Sequence, residues 1–193
     1  MKKVLVIIDM QNDFITGSLK NPDAEAIVPK ICKYLEDNST NVDVSTFDNI
    51  VLTKDTHYSN YLKTSEGKNL PVEHCLYETE GNAVHKDIID TLYKTDYIGR
   101  TAVVVKQTFG FLNWNELMEK MGITQNEEVK VTLVGTCTDI CVISNALILK
   151  AVFPDYEIEV IEGLCAGTTP ENHMAAIKVM ESCQVEINNS VIE

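Results

Sequence analysis

Apolar residues fall along this chain in two alternating rhythms. Short runs rich in aliphatic and β-branched residues occupy Val4–Ile8, Asn49–Leu52, Ala102–Val105, Val129–Val134 and Ile158–Ile161, with a briefer one at Val185–Ile187. Between them, apolar positions recur at helical spacing. Ile27, Val28, Ile31, Cys32 and Leu35 share one face of a helix over Ala24–Leu35, and Val84, Ile88, Ile89 and Leu92 share one over Ala83–Tyr93. Further helices are predicted over Trp114–Met121, Asp139–Ala151 and Pro170–Met180. The last has a clear start: Thr169 can cap the free N–H groups of its first turn, and Pro170 has no N–H to leave unpaired. Unbroken apolar strands belong to sheets buried on both faces, and strand–helix alternation belongs to parallel connections. The predicted fold is α/β: three layers, with a mostly parallel sheet of about six strands covered by helices on both faces.

Composition agrees with this picture and narrows the partners. The 193 residues suit one domain of ordinary size, expected over 1–193, with no linker or repeat inside it. Apolar residues at 45% and charged residues at 23% are globular values. The net charge of −13 repels phosphate backbones and anionic headgroups, so nucleic acid and membrane surfaces are poor partners. Met1-Lys2-Lys3 before an apolar run resembles a leader, but the run ends at Asp9 with no small-residue cleavage site. The expectation is a buried first strand in a cytoplasmic protein, with its six cysteines reduced.

In parallel α/β sheets, ligands bind beyond the carboxyl ends of the strands. Asp9 follows the first strand, Asp55 and His57 the second, and Lys106 the third. Gly135-Thr136-Cys137-Thr138-Asp139-Ile140-Cys141 follow the fourth. Cys141 falls in the first turn of a predicted helix, where unpaired N–H groups and the helix dipole favour thiolate over thiol. The same N–H groups can hold an oxyanion. A cysteine there serves equally well as a small core residue. Asp9 adds weight, because a carboxylate at the edge of a buried sheet needs a partner, and Lys106 is the natural one. Each could also be an ordinary loop-capping or strand-terminal residue.

Taken together, Val6-Ile7-Ile8-Asp9-Met10-Gln11-Asn12-Asp13-Phe14, then Lys106, then Gly135 to Val142 resemble the three signature blocks of the isochorismatase-like cysteine hydrolases, in order and over nearly the whole chain. The resemblance implies a catalytic triad of Cys141, Asp9 and Lys106. It also implies a cis peptide before Cys137, and an oxyanion hole made by the N–H groups of Cys137 and Cys141. The implied activity is hydrolysis of a small-molecule amide through a thioester. Family members are commonly dimers or tetramers, so a homo-oligomer is expected.

The long irregular stretch from Asp55 to Gly81 carries a second constellation. Residues two apart on extended chain face the same side, so Asp55 and His57 can address one ion. Glu66 and His74 lie farther along, and two imidazoles with two carboxylates suit zinc, with iron or manganese as alternatives. Solvated loop residues would look the same. The segment Leu70-Pro71-Val72-Glu73-His74-Cys75 also resembles the Pro–His segment of nicotinamidases, which implies the metal set Asp55, His57, Glu66 and His74. Phe14 matches an aromatic of the nicotinamide pocket, with Phe109 or Phe111 as a further wall. Leu70 departs from the family's aromatic, and Gln107–Asn113 is shorter than usual. Three readings follow: a nicotinamidase, a hydrolase of another small amide, or a catalytically idle binding protein. His85 and His173 are expected at the surface or in packing, and Cys165 in the core.

Overall fold

In the computed structural model of the protein, which describes residues 1–39, 46–124 and 127–189, the first strand β1 (Lys2–Ile8) lies near the middle of a six-stranded sheet. The others are β2 (Asn49–Asp55), β3 (Thr101–Lys106), β4 (Val129–Thr136), β5 (Glu157–Ala166) and β6 (Glu186–Asn188). Their order is β3-β2-β1-β4-β5-β6, and each neighbouring pair is parallel. The helices are α1 (Asn12–Ile15), α2 (Pro22–Asp37), α3 (Ser65–Asn69), α4 (Lys86–Lys94), α5 (Trp114–Lys120), α6 (Ile143–Val152) and α7 (Pro170–Ser182).

Successive side chains of a strand point to opposite faces, so a strand with helices on both sides must be apolar throughout. That is why β1 reads as an unbroken run. Leu5 and Ile7 join Ile50 and Leu52 of β2 against Ile27, Ile31 and Leu35 of α2 and Ile88 and Leu92 of α4. Val4, Val6 and Ile8 join Val131 and Leu133 of β4 against Trp114 of α5, Ala146 and Leu149 of α6, and Ile177 and Met180 of α7. Each such fully buried aliphatic side chain contributes about 1.5–3 kcal/mol relative to exposure. Among the described residues, no helix is long and apolar enough to cross a membrane.

The strand order reverses direction between β1 and β4, and a crevice opens at that boundary beyond the strand ends. The two strands meet closely there. Gly135, paired with Ile8, has φ 119°, and a Cβ on it would lie 2.2 Å from the Ile8 carbonyl oxygen. Only glycine tolerates both the backbone angle and the approach.

The three layers are as predicted, while several boundaries differ. β5 runs to Ala166 because its end pairs with β4 beyond an irregularity between Leu133 and Gly135. The predicted helix over Asp139–Ala151 begins as a wide π-type turn, Thr138–Val142, before α6. The helix predicted from Ala83 starts at Lys86, because His85 accepts a bond from the Asp87 N–H and caps it. The stretch from Asp55 to Gly81 is less irregular than expected: it contains α3, capped by Thr64, whose hydroxyl accepts from the Gly67 N–H at 3.0 Å.

Candidate active site

β1 ends at Ile8, and Asp9 turns away with φ 46°. This is an unusual conformation for a residue other than glycine, and such strain concentrates at functional sites. Asp9 has no exposed surface. Its N–H donates to the Thr53 hydroxyl at 3.1 Å, and that hydroxyl donates back to Asp9 Oδ1 at 2.6 Å. Lys106, at the end of β3, brings its Nζ to 2.6 Å from Asp9 Oδ2, 3.8 Å from Asp55 Oδ1 and 3.6 Å from Cys141 Sγ. The ends of three strands and the turn after a fourth thus converge on one buried cluster.

The electrostatics of the cluster correct one expectation. Cys141 holds its proton more tightly, not less, than an ordinary thiol. Its complete burial, and then the charge of Asp9, push its thiol well above the ordinary value, and Lys106 only partly offsets them. Burial likewise raises the Asp9 carboxyl, against the pull of Lys106. Burial opposes the charge on Lys106, but the carboxylates of Asp9 and Asp55 keep its ammonium above its usual range. At this thiol, desolvation and the neighbouring carboxylate oppose the helix-terminal dipole. A thiol beside a carboxylate of raised affinity for protons has the makings of a nucleophile and its base.

Cys141 and Cys137 line a cavity of 380 Å³, with Phe14, Leu70, Phe109 and Ile140 among its walls. The Thr136–Cys137 peptide is cis, in line with the resemblance. Cys137 is half-buried, and burial pushes its thiol up to about 11. Phe111 is not a wall, which leaves that role to Phe109. Its ring packs edge-on against Trp114 at 5.2 Å, and its N–H is tied to Asn145.

Asp55, Glu66 and His74 line the same cavity, His57 joins them, and the ligand atoms of all four lie within 4.8 Å of one another. His57 Nε2 is 2.8 Å from Asp55 Oδ2 and 3.5 Å from Glu66 Oε1, while His74 Nε2 is 3.4 and 3.6 Å from the same oxygens. His57 Nε2 is buried and makes no hydrogen bond of acceptable geometry. Burial lowers the affinity of His57 for a proton, but Asp55 and Glu66 raise it to about 9. Burial opposes the Asp55 anion too, yet His57, His74 and Lys106 hold its carboxyl well below the usual carboxylate range. The group therefore demands a cation. His74 Nδ1 lies 2.8 Å from the Val72 carbonyl, which fixes the ring and leaves Nε2 to face the cluster, as in a ligating imidazole. The residues fit a divalent metal.

Several supporting residues were not found from sequence. Buried Gln11 donates to the Asp55 carbonyl at 2.8 Å and accepts from the Asp55 N–H at 2.8 Å. Buried Asn82 donates to the carbonyls of Asp55 and Cys75 at 2.8 and 3.1 Å, joining the two ends of the metal loop. Asp13 accepts from the Cys75 N–H at 2.7 Å, and Tyr61 donates to the Leu70 carbonyl at 2.9 Å. Asn145, fully buried in apolar α6, donates to the carbonyls of Cys141 and Phe109 at 2.8 and 3.2 Å. A lone polar residue in an apolar helix was the available signal for Asn145. Nothing in the pattern marked Asn82. His85 and His173 lie outside the cluster; His173 Nδ1 is 2.8 Å from the Thr138 hydroxyl, beneath the turn that carries Cys141. Cys165 is buried in β5.

Comparison with known proteins agrees with this geometry. The chain is 28% identical over 198 residues to the nicotinamidase/pyrazinamidase of Mycobacterium tuberculosis, covering 96% of this chain and 97% of that one. Its fold superimposes on a pyrazinamidase/nicotinamidase from Streptococcus mutans with a TM-score of 0.79, at 24% identity over 96% of this chain and 99% of that one. It also superimposes on a Pyrococcus horikoshii pyrazinamidase in complex with zinc, with a TM-score of 0.71, at 22% identity over 97% and 98% of the two chains. The Isochorismatase domain model matches residues 3–190. Nearly the whole length is thus accounted for by one family, and this chain belongs to the isochorismatase family.

Proposed function

We propose that this protein is a cysteine amidohydrolase of the nicotinamidase type, converting nicotinamide to nicotinate and ammonia. The observation that carries the reading is the buried cluster of Cys141, Asp9 and Lys106 on the cavity that also holds the metal-ligand group. Its fold resembles solved nicotinamidases, and its sequence resembles theirs over nearly the full chain.

Asp9 takes the thiol proton as Cys141 Sγ attacks the carboxamide carbon. The N–H groups of Cys137 and Cys141 stabilise the oxyanion. When the tetrahedral intermediate collapses, the C–N bond breaks and Asp9 passes its proton to the departing nitrogen, giving ammonia. Water then loses a proton to Asp9 and attacks the thioester. The C–S bond breaks, and the proton on Asp9 returns to Cys141. Lys106 holds Asp9 in position and offsets its charge throughout. Asp55, His57, Glu66 and His74 would hold the metal. A divalent cation held there, zinc by its donor set with iron or manganese as alternatives, would supply Lewis-acid binding of a substrate donor atom.

A cytoplasmic homo-oligomer is part of the same reading. All six cysteines are free, the state expected in a reducing compartment, and Val103 and Val105 of edge strand β3 are exposed. A second amide substrate is favoured over nicotinamide by one observation: the wall at residue 70 is the half-exposed aliphatic Leu70 rather than an aromatic ring. One assay separates these readings. Ammonia release is measured from nicotinamide and a panel of small amides, with and without chelator, for wild type and Cys141→Ala. Release from nicotinamide that is lost in Cys141→Ala is expected. Release only from another amide would move the assignment to that substrate, and retained turnover in Cys141→Ala would end the covalent mechanism.

A further inference from the structure

The cavity above Cys141 is not alone. A second one, of 680 Å³, adjoins it, and the two share Glu66, Leu70, Phe109 and Ile140 as walls. Cys137 and Cys141 line only the inner cavity. The outer cavity is bordered by Tyr58, Asn60, Ser65, Asn69, Gln107 and Thr108, each of which offers a hydroxyl or an amide and none of which carries a charge at neutral pH. Asn69 donates to the Ser65 carbonyl at 2.9 Å, which leaves its own amide oxygen as an acceptor. Among the described residues, no lysine or arginine lines this space, and the ionisable His57 and Glu66 belong to the metal group.

Ligand sites for drug-sized molecules run to about 300–1,000 Å³, so the inner cavity alone suffices for a single-ring amide. The outer cavity is larger than that ring requires. The direction in which a substrate could fill it follows from the chemistry. The leaving nitrogen must take a proton from Asp9, which is fully buried behind Cys141, so a bulky amine has no room there. Only the acyl portion is free to continue outward past Leu70 and Phe109.

We propose that the preferred substrate is a primary carboxamide whose ring carries a neutral, hydrogen-bonding substituent, that this substituent occupies the outer cavity, and that Leu70 and Phe109 are specificity-determining walls between the two parts. This rests on the amidase reading and narrows its substrate class. A charged substituent finds no counter-ion among the uncharged outer walls, and a hydrogen-bonding one can pair with exposed amides and hydroxyls that a purely apolar one cannot use.

The test compares nicotinamide with nicotinamide carrying a hydroxyethylaminocarbonyl chain on the ring carbon para to the carboxamide. In the metal-loaded wild type the extended amide should have a kcat/KM about tenfold higher, the worth of one or two well-formed hydrogen bonds. Asn60→Trp and Asn69→Trp, which fill the outer cavity, should abolish that gain and leave nicotinamide turnover unchanged. Calorimetry on Cys141→Ala supplies a readout independent of chemistry, where the extended amide should bind about tenfold tighter than nicotinamide. Equal values for the two amides, or a gain that survives both tryptophan variants, would overturn the proposal. Absence of turnover on every amide would sink the amidase reading instead, and the binding comparison would still decide this one.

Discussion

Asp9 and Lys106 form a buried ion pair 2.6 Å apart, and such a pair is a poor device for stability alone. The desolvation of both ions offsets most of their attraction, and apolar residues of similar volume commonly serve a fold as well or better. Their place behind Cys141, a thiol that lines the cavity, is what the proposed chemistry requires. Replacing Asp9 with Asn removes the base and keeps the shape. We expect Asp9→Asn to lower kcat by about 10²–10⁴-fold, the usual range for a general acid–base group, in a protein with unchanged circular dichroism. A kcat within a factor of a few of wild type would show that the proton goes elsewhere. At this scale the sequence was informative about identity and misleading about state. Cys141 could be singled out from its position after a strand, but its protonation depends on burial and on Asp9, which is far away along the chain.

The elements matter through their ends. The turn between β4 and α6 carries Cys137 and Cys141, and it must lie directly beside the end of β1 for Asp9 to reach the thiol. Gly135 makes that approach possible. Gly135→Ala would force a Cβ to within 2.2 Å of the Ile8 carbonyl oxygen at a φ that alanine avoids. It should destabilise the fold by about 3 kcal/mol or more in urea denaturation, and lower activity in the fraction that still folds. A loss below about 0.5 kcal/mol would mean that the strands can separate without cost. Here β1, β2 and β4 were legible from their apolar runs. The extension of β5 to Ala166 was not, because Glu162 and Gly163 break the run and only pairing across the sheet keeps the strand extended. Helix α3 was likewise invisible: five residues are too few to show a periodicity, and its cap at Thr64 gains meaning only once Glu66 is seen to face the two histidines.

Over the whole molecule, the metal group closes a loop. Asp55 and His57 stand at the end of β2, and Glu66 and His74 come from the segment that follows, so an ion bound by all four would tie that segment to the sheet. A ligand that binds only the folded state stabilises it in proportion to its occupancy. Zinc at about a hundredfold above its dissociation constant should add about 2.7 kcal/mol and raise Tm by about 5–10 °C for a chain of this size. His57→Ala and His74→Ala should each remove that rise, as read by differential scanning calorimetry on chelator-treated protein. A rise that persisted in both variants would move the metal to other residues.

The sequence by itself determined the order and kind of the strands and of the longer helices, and the residue types at the strand ends. Those depend on side-chain periodicity, caps and breakers, which are properties of near neighbours along the chain. It also nominated Asp9, Asp55, His57, Lys106 and Cys141 as a group, because parallel strands bring their carboxyl ends to one edge whatever their lateral order. The tertiary structure alone decided that β1 adjoins β4, which sets Asp9 beside Cys141. It alone decided that Gln11 and Asn82 hold the ends of the Asp55–His74 segment, that Phe109 and not Phe111 lines the cavity, and that burial and Asp9 raise the affinity of Cys141 for its proton. Burial, distance and charge between residues far apart in the chain come into being only when the sheet assembles, and the chemistry of this site is made of those three quantities.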